Sequence, residues 1–514
     1  MKLSYLLKEC TPLWRRSLDP ASDPGSDPEI TSIHNDSRDV KPGGLFIAVR
    51  GFKIDGHDYV EDALERGAAA VVVQQRVPGK QRMVEVADTR KAMASIAARF
   101  YDNPSESMCL VGITGTNGKT TTSFILESIF AQAGHCVGVI GTVNFRYRGK
   151  LFNNPVTTPE SIDLQRILAQ MKAAQVSHVV MEVSSHSIDL HRVRNCRFDA
   201  GVFTNLTQDH LDYHRTMGRY FACKRRFFTR ILPSGPKALT AMAVINLDDE
   251  KGQALRDAAA TKVVTTGRDS RADVCALDLA ETITGTTGIL KIDGAPYPFS
   301  SALVGAFNVE NILSAAGAAH AIGIDPQVIV RGIEGCKGVP GRLERVEPDN
   351  GRHVFVDYAH TPDALMSILE TLKAQAPKRI ITVVGCGGDR DRSKRPIMGQ
   401  IAATLSDVAI ITSDNPRSED PHGIIQEILK GIDTALCPEL KPDQLKTGNG
   451  FFVEPDRRKA LELAVAASTP GDILVAAGKG HETYQILKGG TIHFDDREIL
   501  SSALAGVQGL GETL

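Results

Sequence analysis

Short runs of β-branched and aliphatic residues that break off in glycine or polar residues recur through most of the chain. SMCLVGI, VSHVVMEVSS, FDAGVFTNL and AMAVINLD occupy the middle; RHVFVDYA, RIITVVGCGG, VAIITSDNP and DILVAAGKG lie towards the end. Runs this apolar belong inside a sheet covered on both faces, and helical stretches separate them. The pattern predicts an α/β fold with parallel sheets, whose chemistry collects where the strands end. At 514 residues the chain is too long for a single core, and its length implies roughly three domains. GGLFIAVRG and YVEDALERGAAAVVVQQ read as strand, helix and strand of a small N-terminal α/β domain, residues 1–104. Residues 105–338 follow as a central domain with a parallel sheet. GVPGRLERV reads as a hinge into a third, again doubly wound, domain, 339–514. DPASDPGSDPE, 19–29, reads as a loop.

Composition narrows the class. A hydrophobic content of 42% with 23% charged residues is that of a soluble globular protein. A net charge of −2 supplies no basic field for nucleic acid, so positive charge for any anionic ligand must be local. The five-residue apolar stretch in MKLSYLLKEC is too short for a signal-peptide core, and no run approaches the ~18 residues that span a bilayer. Nine cysteines stand singly with no C-x-x-C pair. Reduced thiols, a cytoplasmic location and no structural zinc are expected.

The stretch GITGTNGKTTT, 112–122, departs from the common phosphate loop G-x-x-x-x-G-K-[ST], because Ile113 stands where the first glycine belongs. The physics survives the departure. A strand delivers a glycine-rich turn to a helix N-terminus, where amides meet phosphate oxygens. Lys119 offers a point charge to the β/γ-phosphates and Thr120 a hydroxyl to Mg²⁺. Gly115 becomes the working glycine, and Gly112 belongs to the strand.

Other segments carry two readings each. Glu182 in MEVSSH sits in a strand fit for burial, where a carboxylate is costly unless paired or metal-bound; the alternative is a strand-end carboxylate that caps a neighbouring helix. TNLTQDHLDYH spaces His210 and His214 four apart, yet no H-E-x-x-H accompanies them, and a polar loop with solvent-facing histidines fits as well. GRYFACKRRFFTRIL reads as a helix with Tyr220, Phe221, Phe227 and Phe228 mostly inward. Taken alone, Lys224 on that helix reads as a snorkelling surface lysine. GCGGDRDRSKRP is either a solvated loop or, at a strand end, a grip on an anionic substrate. SDNPR and GKGHE end the next strands in the same manner.

Together TGTNGKTT, MEVSSH, FTNLTQDHLDYH, GAFNVEN, PGRLE and VDYAHTPDAL resemble the signatures of the Mur ligases, ATP-dependent amide-forming enzymes of peptidoglycan precursor synthesis, in that family's chain order. GCGGDRDRSKRPIMG, DNPR and GKGHE resemble the branch that adds the third residue to the UDP-N-acetylmuramoyl dipeptide. The resemblance implies a uridine-nucleotide-binding domain, a central ATPase domain and a mobile Rossmann-like domain. It also implies roles. Gly115, Thr116, Asn117, Gly118, Lys119, Thr120 and Thr121 would hold the triphosphate, with Asn308, Asn311, Arg342, Asp357 and His360 around ATP. Glu182 and His210 would join Thr120 as magnesium ligands, and Lys224 would be carbamylated to ligate a second Mg²⁺. Asn35, Ser37, Phe52, Lys53 and Ile54 would meet the uridine end of the substrate; Thr157, Thr158, Ser184 and Arg192 would meet its muramoyl-dipeptide end. Val156 and Leu190 depart from residues the family can carry there, which bears on individual contacts.

The route implied is phosphorylation of the D-glutamate side-chain carboxylate by ATP, then displacement of phosphate by an amine. Like charges meet in the first step, which accounts for two magnesium ions and Lys119. The acyl phosphate would hydrolyse in open water, so closure of the last domain is expected. Arg390 and Arg417 suit the second carboxylate of meso-diaminopimelate, which lysine lacks. With Asp414, Asn415, Pro416, Gly478 and Glu482 they make the expected diaminopimelate site. L-Lysine is the close alternative as substrate, and an ATP-driven switch is a second class of function. No nucleic acid or membrane partner is expected, and the chain is expected to act as a monomer.

Overall fold

The computed structural model describes residues 1–10, 12–14, 27–52, 54–75, 83–347 and 351–511; Lys53 and residues 19–26 of the N-terminal loop lie outside them. The chain divides into two compact units. One comprises Met1–Cys275, Lys291–Tyr297 and Glu310–Gly332; the other comprises Ala276–Leu290, Pro298–Val309 and Ile333–Leu514.

The first unit begins with β1 (Pro12–Trp14), β2 (Ser32–His34), β3 (Gly44–Ile47), β4 (Ala70–Val73) and β5 (Met83–Val86). They form a sheet in the order β1-β5-β4-β3-β2, parallel but for β1. Strand periodicity divides its core: Leu45, Ile47, Val72 and Val84 pack with helix Thr89–Phe100, while Phe46, Val71 and Val73 cover Val60 and Ala63 on the other face.

The sheet that positions the phosphate loop is built from β6 (Cys109–Thr114), β7 (Val137–Ile140), β8 (Phe145–Tyr147), β9 (Lys150–Phe152), β10 (His178–Glu182), β11 (Ala200–Phe203), β12 (Met242–Asn246) and β13 (Lys262–Gly267). The order β13-β12-β11-β6-β10-β7 is parallel throughout, and β8 and β9 extend it antiparallel. β10 lies between β6 and β7, and β11 pairs with the other edge of β6, with Val111 opposite both Val180 and Ala200. The chain therefore reverses direction across the sheet at β6, the place where ligands collect in doubly wound sheets. β14 (Val274–Thr282), β15 (Gly285–Ile292) and β16 (Ala295–Ser301) follow, each divided between the two units.

In the second unit, β17 (Glu344–Arg345), β18 (His353–Asp357), β19 (Ile380–Val384), β20 (Val408–Ile411), β21 (Gly450–Val453) and β22 (Ile473–Ala477) form a sheet in the order β17-β18-β22-β19-β20-β21. All but β17 run parallel. Both faces are covered, Phe355, Val384 and Ile411 on one side and Val354, Val383 and Ile410 on the other. Among the described residues no helix is long and apolar enough to cross a membrane, and all nine cysteines are free.

Candidate functional site

β6 ends at Thr114 and helix Lys119–Gln132 begins five residues later, with Gly118 as its N-cap at φ +84°. The loop between is framed by the segment that follows β11. Thr116 N–H donates to Asn205 O at 2.9 Å, Asn117 N–H to Asn205 Oδ1 at 2.8 Å, and the Thr204 hydroxyl to Asn117 O at 2.6 Å. A Cβ on Gly115 would fall 1.8 Å from Thr204 Oγ1, and one on Gly118 would fall 2.1 Å from Asn311 Oδ1. Both glycines are therefore needed for close approach, whatever the departure at Ile113. Gly115→Ala should cost about 1–3 kcal/mol through overpacking and weaken ATP binding, read by calorimetric titration; unaltered affinity would show that this frame does not shape the loop. Lys119 Nζ curls back to Gly115 O (2.9 Å) and Thr116 O (2.7 Å). Thr121 is buried in the first turn of the helix.

Glu182, at the end of β10, is 1% exposed. It caps no helix; its carboxylate accepts from Thr120 Oγ1 (3.1 Å), Thr142 N–H (3.0 Å) and Thr142 Oγ1 (2.9 Å). The Thr142 hydroxyl also meets Thr157 Oγ1 at 3.1 Å. Thr158 donates to Glu182 O at 2.8 Å and accepts from Ser184 N–H, and Arg192 reaches Thr158 O at 2.9 Å while paired with Glu160. The structure thus brings Thr120, Thr157, Thr158, Glu182, Ser184 and Arg192 into one hydrogen-bonded chain. Thr142 links it, a residue no motif singled out.

Lys224 corrects the surface reading that its segment suggests in isolation: it is 1% exposed. Its helix, Met217–Arg226, runs on into a π-turn over Phe227–Ile231. Lys224 Nζ donates to Gly115 O at 2.7 Å and lies 4.6 Å from the Tyr220 ring centroid. Burial, aided by the nearby Lys119 charge, holds this amine well below the ordinary lysine range. His210, in the left-handed region at φ 54°, stacks edge-on against His186 at 4.9 Å. His210 remains exposed, yet partial desolvation of its ring, joined by His186, Lys119 and Lys224 against the pull of Asp209, lowers its pKa. His214 is buried on Ser185 Oγ rather than facing solvent, and burial brings it down to about 4.

Among the described residues no group of three or more His, Cys, Asp or Glu side chains is placed to hold a metal by itself. The hydroxyl of Thr120 beside the Glu182 carboxylate is nonetheless a hard oxygen pair suited to Mg²⁺, an ion that takes one or two protein ligands and completes its shell with phosphates and water.

At the N-terminal sheet Ser37 is buried and Asn35 exposed. Phe52 and Ile54 are 75% and 61% exposed, and the Phe52 ring stands edge-on to Tyr213 at 5.9 Å. Apolar side chains held this far out against an aromatic suit a flat ligand.

The second unit gathers its polar groups at the C-terminal ends of β18, β19, β20 and β22. Buried Asp357 accepts from Leu343 N–H at 2.7 Å, and burial raises its pKa against the pull of Arg342. The Arg342 guanidinium lies 4.8 Å from the Tyr358 ring centroid, and His360 Nδ1 is 2.8 Å from Tyr358 O. Asn308 donates to Val304 O. After β20, Asp414, Asn415 and Pro416 are buried and Arg417 takes φ 54°. Arg417 Nη1 donates to Gly388 O at 2.8 Å, beside exposed Arg390. Asn415 Nδ2 donates to Glu482 Oε2 at 2.8 Å, and Lys479 pairs with Glu482 at 3.3 Å. Burial first, then the Asp414 charge, raises the pKa of Glu482. Asp414 Oδ1 is buried with no hydrogen-bond partner among the described residues. A Cβ on Gly478 would lie 3.0 Å from the other oxygen of that carboxylate, so glycine keeps the space before it open. An acceptor left over beside a second carboxylate is a place for an ammonium group.

Three family models match the chain: the "Mur ligase family, catalytic domain" over 29–101, the "Mur ligase middle domain" over 113–319 and the "Mur ligase, glutamate ligase domain" over 341–480. The chain is 48% identical over 489 residues to the "UDP-N-acetylmuramoyl-L-alanyl-D-glutamate--2,6-diaminopimelate ligase" of Geobacter metallireducens, covering 94% of this chain and 96% of that one. It is 42% identical over 483 residues to the enzyme of the same name from Bacillus cereus, at coverages of 94% and 96%. A solved structure bearing that enzyme name superposes with a TM-score of 0.67 at 33% identity, over 93% of this chain and 95% of the other.

Proposed function

We propose, for a chain that belongs to the Mur ligase family, that it adds meso-2,6-diaminopimelate to the D-glutamate side-chain carboxylate of UDP-N-acetylmuramoyl-L-alanyl-D-glutamate at the expense of ATP. It is an ATP-dependent ligase of peptidoglycan precursor synthesis, and through the cell wall it serves cell shape and division. It acts in the cytoplasm as a monomer. Residues 1–104 take the UDP end of the substrate, 105–338 take ATP, and 339–514 take the incoming amino acid.

The observation that carries the reaction is Lys224, an amine buried within 2.7 Å of the Gly115 carbonyl of the phosphate loop. A primary amine held neutral there can attack CO₂, forming an N–C bond as one C=O π bond opens and shedding a proton, so that a neutral amine becomes an anionic carbamate. Thr120, Glu182, His210 and the Lys224 carbamate would hold magnesium, which supplies positive charge between two anionic reactants. Lys119 and the amides of Gly115 to Thr121 hold the triphosphate, with Asn308, Asn311, Arg342, Asp357 and His360 contacting the rest of ATP. Asn35, Ser37, Phe52, Lys53 and Ile54 hold the uridine end, and Thr157, Thr158, Ser184 and Arg192 orient the dipeptide. Its carboxylate oxygen attacks the γ-phosphorus and ADP leaves. The amine of diaminopimelate then attacks the acyl carbon, loses a proton and expels phosphate.

The buried oxygen of Asp414, with Glu482 beside it, supports an ammonium at the distal end of the amino acid, and Arg390 and Arg417 support the neighbouring carboxylate. ADP release measured with meso-diaminopimelate and L-lysine at equal concentration should be robust only with the former. Turnover with lysine alone would overturn the choice of amine, and ATP hydrolysis indifferent to both would favour a switch.

A further inference from the structure

We propose that Arg395 is a positioning residue that fixes the spacing of the two arginine-bearing loops and thereby sets selectivity for the amino acid; the proposal rests on the amino-acid site assigned above. Arg395 opens helix Lys394–Leu405 just after the β19 loop, and its side chain is wholly buried. By sequence it is one of the cations of a loop that is either solvated or substrate-facing; in the fold it is neither.

The guanidinium grips Glu419 with both terminal nitrogens, at 2.8 and 2.9 Å, reaches Glu427 Oε2 at 2.7 Å and donates to Gly387 O at 3.1 Å. Glu419 lies two residues beyond Arg417, and its Oε1 also accepts Asp389 N–H at 2.6 Å. One side chain therefore ties the β19 loop, which carries Arg390, to the β20 loop, which carries Asp414 to Arg417. The stitch continues locally. Asp389 Oδ1 accepts from the Ser418 hydroxyl at 2.7 Å, Gly388 N–H donates to Asn415 O at 2.9 Å, and Arg417 itself donates to Gly388 O. The loops approach so closely that a Cβ on Gly388 would lie 1.9 Å from Pro416 O. Glu427, on helix Pro421–Leu429, is shared with Arg392 and anchors the network to the helix that follows β20.

A planar fork can grip one carboxylate through two nitrogens while reaching a second carboxylate and a carbonyl; an ammonium has three donors on a single atom and cannot reproduce that spread. Loosening this lattice shifts Arg417 relative to Arg390 without touching nucleotide or UDP-substrate residues, and a misplacement of this kind costs roughly ten- to a hundredfold. The full-length Arg395→Lys protein should therefore show a KM for meso-diaminopimelate raised by about that factor. Its KM values for ATP and for the UDP-substrate should be unchanged, and its preference for diaminopimelate over L-lysine reduced. Glu419→Gln, which keeps the shape and removes one charge, should move the same constant in the same direction by less; it carries the test alone if thermal melting finds Arg395→Lys unfolded. An unchanged diaminopimelate KM in a folded variant overturns the positioning role, as does a parallel rise in all three KM values. Absence of diaminopimelate-dependent ADP release in the unaltered protein instead overturns the site assignment beneath it.

Discussion

Lys224→Ala should lower kcat by about 10²–10³-fold, the scale on which loss of one charge-stabilising group at a reacting centre is felt. A short carboxylic acid added to the variant should restore part of it. The side chain lies in an apolar stripe with Tyr220, Cys223, Phe227 and Phe228, and an ammonium there would be desolvated near the charge of Lys119. The fold therefore favours the neutral amine, which is the form that reacts with CO₂. Labelled bicarbonate should give a carbamate signal in the ¹³C spectrum of the unaltered protein and none in the variant. Turnover of Lys224→Ala at the unaltered rate would remove the residue from the mechanism. The same burial has a sign in stability. Because the folded pKa lies below the unfolded value of about 10.4, the unfolded chain binds the extra proton between them. Uncarbamylated protein is thus penalised below that window and recovers stability as pH rises through it. The stability of the parent relative to Lys224→Ala, measured without bicarbonate, should therefore rise as pH climbs towards about 10.4.

Much of this site is legible in the sequence because its parts lie at strand ends. The apolar runs mark β6, β10, β11, β12, β18, β19, β20 and β22, and residues closing all of these but β12 line the two clusters. Gly134, a residue type suited to ending a helix, takes φ +82° just beyond helix Lys119–Gln132. Lys224 reads as a surface residue in isolation for a reason that the same sequence can correct. Positions 220, 223, 224, 227 and 228 follow the i, i+3, i+4, i+7, i+8 spacing of one helical face, and all five are buried. Weighting residue type over periodicity puts the lysine outside. Thr142, Thr204 and Arg395 carry no such signal. Each acts through contacts far along the chain, Thr142 on Glu182 and Thr204 on Asn117 across intervals of 40 and 87 residues. A threonine or arginine, even inside a quoted stretch as Thr204 and Arg395 are, says nothing of a partner that only the sheet order brings near.

Arg417→Ala should raise the KM for meso-diaminopimelate by about 10–100-fold, the value of a lost charge-assisted hydrogen bond of ~1.5–3 kcal/mol, while use of L-lysine stays near its low starting level. The asymmetry follows from what each amino acid presents. On the site proposed above both would bring an ammonium to the Asp414 and Glu482 carboxylates, but only diaminopimelate has a second carboxylate for a guanidinium to hold through parallel bonds. On that proposal Arg417 would grip it, and the fold already restrains the residue. Its backbone N–H donates to Ile486 O at 3.0 Å and its Nη1 to Gly388 O, so the group is aimed before any ligand arrives. Removing it would leave the ligand carboxylate with Arg390 alone, and the loss falls on binding of one substrate. Arg417→Lys keeps the charge without the fork and should fall between parent and alanine variant. Steady-state ADP release with each amino acid varied at saturating ATP and UDP-substrate separates these cases. Equal losses for diaminopimelate and lysine would mean that Arg417 holds the loop rather than reads the second carboxylate.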